Sequence, residues 1–219
     1  MKKGIFIQAR LSSSRFPGKM LEKLDGIPLV EYVYNRCILS KEANQVIVIT
    51  SIESSDDNLY KYCIDKDINV FRGSLDNVLE RFIAAAKVYQ CTLIGRVCGD
   101  SPFVDIDNLD NMFRECQKNK FDYVRYEQKV AGFLSEVVTL EALEKSYLNT
   151  KQIADVEHVT RYILENQKKF KVDIQREEMN IKSLTIDYPQ DLLEVHEVLK
   201  ALENQVINSI NINQYLCHV

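Results

Sequence analysis

Ile5-Phe-Ile-Gln-Ala-Arg-Leu-Ser-Ser-Ser-Arg-Phe-Pro-Gly-Lys19 begins as a short β-rich run, Ile5–Ala9, and breaks into a polar loop. The loop carries three cations, Arg10, Arg15 and Lys19, and three hydroxyls, Ser12, Ser13 and Ser14, before a Pro-Gly turn. In open α/β sheets ligands bind beyond the carboxyl ends of the strands, which is where this loop emerges. A triphosphate needs this mixture of fork-shaped and point-like cations with hydroxyl and backbone donors. The stretch matches neither GxGxxG nor GxxxxGK[ST], so the common dinucleotide and NTPase fingerprints are absent. A solvated polar turn is the plainer alternative.

Further along the chain, strand-like runs recur at Gln45–Thr50, Asn69–Arg72, Leu93–Val97, Asp122–Tyr126 and Ser135–Thr139. Between them lie amphipathic segments. Val30, Val33, Cys37 and Ile38 share one helical face, as do Val78, Leu79, Phe82, Ile83 and Ala86, and then Leu109, Met112, Phe113 and Cys116. Strands spaced by helices imply right-handed crossovers and a largely parallel sheet. After about residue 125 the pattern loosens into a helix at Leu140–Tyr147, another from Asp155, and strands at Lys171–Gln175 and Ser183–Ile186. Pro189 opens a last helix with Leu192, Val195, Leu199 and Leu202 facing inward. One domain over 1–219 is expected, with an acceptor-binding or dimerisation excursion around 125–180.

The bulk numbers narrow the class. With 46% hydrophobic and 27% charged residues, the 219-residue chain can bury a core and stay soluble. A net charge of −4 argues against a surface built to grip nucleic acid. Six cysteines, at 37, 63, 91, 98, 116 and 217, form no CxxC pair and sit mostly in apolar stretches, which reads as reduced thiols. No apolar run reaches signal-peptide or membrane-spanning length, so the expected location is the cytoplasm.

Five motifs in order resemble one family. Ala9-Arg10-x4-Arg15-Phe16-Pro17-Gly18-Lys19-x-Leu21 resembles the signature of the cytidylyltransferases that activate ketodeoxyoctonate and sialic acid. Arg72-Gly73-Ser74-x3-Val78-Leu79-x-Arg81-Phe82, Gly99-Asp100-Ser101-Pro102-Phe103-Val104-Asp105, Glu157-His158-Val159-Thr160 and Thr185-x-Asp187-x-Pro189-x-Asp191-Leu192 resemble its spore-coat polysaccharide branch. The resemblance implies a three-layer, Rossmann-like nucleotide-diphospho-sugar transferase fold with a mostly parallel mixed sheet. It also implies a homodimer, and nucleotidyl transfer from CTP to an acidic sugar or related acceptor for surface polysaccharide synthesis. Within it Ala9, Arg10, Ser12, Arg15 and Lys19 would bind the nucleotide, with Arg72, Ser74 and Asn77 at base and ribose.

Asp100 follows Leu93–Val97 and Asp187 follows Ser183–Ile186, so the two carboxylates meet at one crevice if those strands are neighbours. Such a pair suits Mg²⁺, which takes one or two protein carboxylates and fills its octahedron with phosphate oxygens and water. The resemblance assigns both aspartates the same metal role and makes Arg10, Lys19 and Asp100 the catalytic set. As structural alternatives, Asp187 would cap the last helix and Asp100 would serve a turn.

Rival readings remain open. Asp105-Ile-Asp107 has the form of a glycosyltransferase DxD, although Asp107 would also cap the helix that follows it. A non-catalytic relative is the other rival, favoured by Cys98, which stands where better-studied relatives carry a base-recognising glutamine. Glu136 and His158 are candidates for the acceptor, with capping or surface pairing as their alternatives. Arg81 would face the site or the solvent. Arg96, charged inside a strand, would line the crevice or pair with a carboxylate. His196 and His218 read as incidental.

Overall fold

A computed structural model describes residues 1–128, 135–177 and 184–202. β1 (Lys3–Gln8) leads through the polar loop and a small hairpin, β2 (Lys23–Leu24) with β3 (Ile27–Pro28), into α1 (Leu29–Cys37). Alternation continues through β4 (Gln45–Ser51), α2 (Asp57–Asp65), β5 (Val70–Gly73), α3 (Val78–Val88), β6 (Leu93–Cys98) and α4 (Ile106–Asn119). Then come β7 (Tyr123–Gln128), β8 (Ser135–Thr139), α5 (Leu140–Asn149), α6 (Ile153–Glu157), α7 (Arg161–Glu165), β9 (Val172–Glu177) and α8 (Pro189–Ala201).

Among the described residues the main sheet has seven strands, in the order β5-β4-β1-β6-β8-β7-β9. β8 runs antiparallel to both of its neighbours, and the other pairs are parallel. Period-2 alternation sends successive side chains to opposite faces, which is why β1 serves two cores. Ile5 and Ile7 join a cluster with α1, α2, α4 and α8, represented by Val33, Cys63, Phe113 and Val195. Phe6 joins a second cluster with α3, α5 and α7, represented by Phe82, Leu143 and Ile163. The result is the expected three-layer α/β architecture with a mostly parallel mixed sheet.

Four expectations are corrected. Residues 184–187 form no strand, and Ser183 lies outside the described residues. Ile186 donates its N–H to Asp100 O at 3.0 Å, crossing the end of β6 rather than joining a ladder. The helix expected from Asp155 begins two residues earlier, at Ile153. The cap of α4 is Asp105, whose carboxylate accepts from Asn108 N at 3.0 Å, and Asp107 falls inside the first turn. Asp187 does not cap α8 either, because Tyr188 is the cap residue and Asp191 accepts from the N–H groups of Asp187 and Tyr188.

Cys37, Cys63, Cys91 and Cys116 are buried free thiols, Cys98 is partly exposed, and Cys217 lies outside the described residues, as does His218. No helix among the described residues is long and apolar enough to cross a membrane.

Candidate active site

The loop after β1 is pinned at both ends. Ala9 N donates to Ile49 O at 3.1 Å, and Leu11 N donates to Asp56 Oδ1 at 2.7 Å. Asp56 is fully buried, and its other oxygen accepts from the backbone and hydroxyl of Ser51. A buried carboxylate with both oxygens accepting hydrogen bonds fixes geometry, so the loop leaves the sheet in a set direction. Sequence reasoning missed Asp56, which reads as an ordinary acid at a helix start. At the far end Gly18, at φ 78, donates to Leu11 O at 2.9 Å and closes the loop, a left-handed conformation that glycine adopts without steric cost. Gly99 permits the close approach of β6: an added Cβ would lie 2.8 Å from Met20 Sδ and 3.1 Å from Gln8 O.

The closed loop wraps a cavity of about 180 Å³, lined by Gln8, Ala9, Arg10, Ser13, Ser14, Arg15, Lys19, Met20, Cys98 and Asp100. Ser12 is exposed and does not line it; its neighbours Ser13 and Ser14 do. Lys19 is the hub. Its side chain is 7% exposed, and Nζ lies 2.7 Å from Asp100 Oδ2, 3.3 Å from Asp187 Oδ1 and 2.8 Å from Ile186 O. Arg15 lies 2.9 Å from the same Asp187 oxygen and 5.7 Å from the Tyr188 ring centroid. The tertiary fold thus brings together Asp100 and Asp187, which are 87 positions apart in sequence.

That pair bears on a metal. Among the described residues no three His, Cys, Asp or Glu side chains gather into a metal site. Two hard carboxylates around one cationic centre are nevertheless the donor set Mg²⁺ uses when phosphates and water complete its shell. Lys19 Nζ now stands between the two carboxylates and would share these oxygen donors with the ion.

Arg10 also lines a second, wider pocket with Ser74, Leu75, Asp76, Asn77, Ile153, Val156 and Glu157. Ser74 Oγ accepts from Asn77 N at 3.0 Å and Asn77 Oδ1 accepts from Glu80 N at 3.0 Å. Among the described residues neither the Ser74 hydroxyl proton nor the Asn77 amide nitrogen has a protein acceptor. Arg72 does not reach this pocket. Its guanidinium donates to Ser51 O, Glu53 O and Asp57 Oδ1 at 2.8, 2.9 and 2.7 Å and lies over Tyr60, so it ties β5 to the segment after β4.

Arg81 faces neither solvent nor site. It is buried, and among the described residues its Nε and Nη1 have no hydrogen-bond partner. Burial pulls this guanidinium down to about 10, with Asp56 working against the shift and Arg10 adding to it.

Glu136 does not present a carboxylate to an acceptor. It is 5% exposed; Oε1 accepts from Arg96 Nη1 at 2.7 Å and Thr160 Oγ1 at 2.9 Å, and Oε2 accepts from the Tyr123 hydroxyl at 2.5 Å. Burial works to raise its pKa, but Arg96 and the Tyr123 hydrogen bond outweigh it and hold the carboxyl below the usual range. Arg96 therefore pairs with a carboxylate and, through Gln8, also touches the cavity. His158 is exposed and lines neither the loop cavity nor the pocket beside Ser74; Glu157 beside it lines the latter. Val159, buried at φ 41, sits in a region that costs a β-branched residue roughly 1–3 kcal/mol. The Thr160–Glu136 bond helps hold that turn in place. Burial pushes the Cys98 thiol up to about 11, so it is a neutral wall and no nucleophile.

The cytidylyltransferase family model matches residues 5–212. The chain belongs to the cytidylyltransferase family. It is 32% identical over 205 residues to the spore coat polysaccharide biosynthesis protein SpsF of Bacillus subtilis, covering 90% of this chain and 84% of that protein. It is 41% identical over 166 residues to an uncharacterized protein of Methanocaldococcus jannaschii, covering 76% and 68% of the two chains. A solved cytidylyltransferase from Leptospira borgpetersenii superposes with a TM-score of 0.92 at 28% identity, covering 100% of this chain and 94% of that one. A CMP:2-keto-3-deoxy-manno-octonic acid synthetase complexed with CTP shares the fold, with a TM-score of 0.73 at 16% identity over 93% and 100% of the two chains. The DxD rival loses its physical basis in this cytidylyltransferase, since Asp105 is a buried helix cap.

Proposed function

We propose that this cytidylyltransferase transfers a cytidylyl group from CTP to a hydroxyl of an acidic sugar and releases pyrophosphate. The observation that carries the reading is the Lys19 ammonium set between Asp100 and Asp187 beneath a loop bearing Arg10 and Arg15. Arg10, Arg15 and Lys19 bind and orient the triphosphate, and charge-assisted contacts of this kind are the strong ones. The donors left on Ser74 and Asn77 suit the carbonyl and ring nitrogen of cytosine, both acceptors. Arg10 spans the two pockets and so links base to phosphates.

Asp100 and Asp187 would hold Mg²⁺, which supplies charge stabilisation to the phosphates. The acceptor oxygen bonds to the α-phosphorus as the bond to the β-phosphate oxygen breaks, and pyrophosphate and the hydroxyl proton leave. Catalysis by positioning and electrostatics needs no protein nucleophile, consistent with the neutral Cys98. Relatives named 3-deoxy-manno-octulosonate cytidylyltransferase, such as that of Pseudoalteromonas atlantica at 31% identity over 116 residues, support the acidic-sugar class. A homodimer belongs to the same reading, and sedimentation analysis tests it.

The test is pyrophosphate release with each of CTP, UTP, ATP and GTP against a panel of octulosonates and nonulosonates. CTP is expected to give the fastest release with at least one acid. A purine preference overturns the cytidylyl assignment.

A further inference from the structure

An ammonium has three N–H donors, and Lys19 uses all of them inside the protein. Nζ lies 2.7 Å from Asp100 Oδ2, 3.3 Å from Asp187 Oδ1 and 2.8 Å from Ile186 O. Arg15 Nη2 lies 2.9 Å from the same Asp187 oxygen. In this arrangement Lys19 has no donor left for a phosphate. Its contact to Asp187 is the longest of the three, while the Ile186 segment is tied to Asp100 through the backbone bond from Ile186 N. The Asp187 contact is therefore the first to be given up.

Charge leads to the same point. Lys19, Arg15, Asp100 and Asp187 sum to zero, and each carboxylate already has a cation against it. A divalent ion arriving alone has to displace these cations or stand beside both, and Coulomb repulsion in a partly buried site opposes it either way. A triphosphate arriving first offers new anionic oxygens to the same two side chains. Arg15, half exposed on its loop, reaches them by moving its own side chain. Lys19 reaches them by exchanging Asp187 for phosphate. Both carboxylates are then left to the metal, which takes phosphate oxygens as well.

We infer that Lys19 and Arg15 make metal binding conditional on the nucleotide: they neutralise Asp100 and Asp187 in the free protein and release them when a triphosphate takes over the two cations. Linkage is reciprocal, so the metal tightens the nucleotide by the factor by which the nucleotide tightens the metal. The inference rests on the triphosphate reading of the loop cavity.

Lys19→Met and Arg15→Met remove the charges at nearly constant length. Mn²⁺ binding to the nucleotide-free proteins is measured by calorimetry, CTP binding is measured separately in EDTA, and melting temperature is recorded beside both. Lys19→Met is expected to bind Mn²⁺ at least about tenfold more tightly than the wild type. Arg15→Met, whose charge is more exposed and better screened, should gain about threefold. CTP should bind more weakly to both. Adding Asp100→Asn to Lys19→Met should abolish the gain.

Unchanged or weaker Mn²⁺ binding in Lys19→Met overturns the inference, because a scaffolding cation supports the site whereas a placeholder competes for it. Should that variant unfold, the same outcome in Arg15→Met overturns it. A gain that survives Asp100→Asn puts the ion elsewhere and does so too. The Mn²⁺ measurement uses neither nucleotide nor turnover, which keeps the two readings apart. The expected gain without pyrophosphate release from any nucleotide sinks the transferase reading alone; normal release with unchanged Mn²⁺ affinity sinks the coupling alone.

Discussion

Lys19 Nζ lies 2.7 Å from Asp100 Oδ2, joining the loop after β1 to the turn after β6. The same ammonium reaches Asp187 at 3.3 Å, so one buried cation gathers three motifs scattered along the chain. Lys19 therefore has a structural duty as well as a ligand-binding one, and this changes what its removal should do.

Arg15→Ala and Lys19→Ala are each expected to weaken nucleotide binding about tenfold or more, through loss of a charge-assisted contact. Their stabilities should differ. Arg15, with its side chain 54% exposed, should leave the melting temperature nearly unchanged. Lys19→Ala leaves two carboxylates facing each other and should also cost roughly 1–3 kcal/mol of stability. Equal stability of the two variants would contradict the hub role.

Asp100→Asn and Asp187→Asn should each remove most Mg²⁺-dependent pyrophosphate release while the fold survives, because neither carboxylate caps a helix. Asp191→Ala is the contrasting variant. It deletes the acceptor of two backbone N–H groups at the start of α8 and should destabilise by about 1 kcal/mol. Activity and thermal unfolding on the same samples distinguish metal ligand from cap.

The DxD alternative predicts that Asp105 and Asp107 are both needed for turnover. The geometry predicts otherwise. Asp105→Ala should lose about 0.5–2 kcal/mol through the cap of α4, and Asp107→Asn should be close to neutral. Neither should lower pyrophosphate release per folded molecule, and a selective loss of activity in Asp107→Asn would reopen the rival.

Glu136→Gln should be destabilised by about 3 kcal/mol at neutral pH, because Arg96 loses its countercharge. The sign with pH follows from the depressed folded-state pKa of Glu136. Its contribution is complete above the unfolded carboxylate value of 4.5 and disappears as pH falls through the lower folded value. The stability gap between wild type and Glu136→Gln, followed by denaturant titration, should therefore stay constant from neutral pH to about 5 and close below it. A pH-independent gap would mean that the pair is not ionic.

Local chemistry determined much of this protein. Apolar runs of period 2 and 3.6 placed the strands of the sheet and most helices, because burial of one face is decided by spacing alone. The cationic loop at the end of the first strand marked the ligand edge for the same reason: the loop and the strand that aims it are contiguous. The five motifs led to the family.

What the sequence left open depended on partners far along the chain. Whether Arg72, Arg96 and Glu136 met a ligand or one another turned on the register of β6 with β8 and on the segment after β4, and each found its counter-group inside the protein. Asp56 looked ordinary until β4 and the loop closed over it. Asp187 reached Lys19 although its segment formed no strand, through one backbone bond from Ile186 to Asp100. A buried charge must find a partner wherever the fold brings one, and that choice is made only in three dimensions.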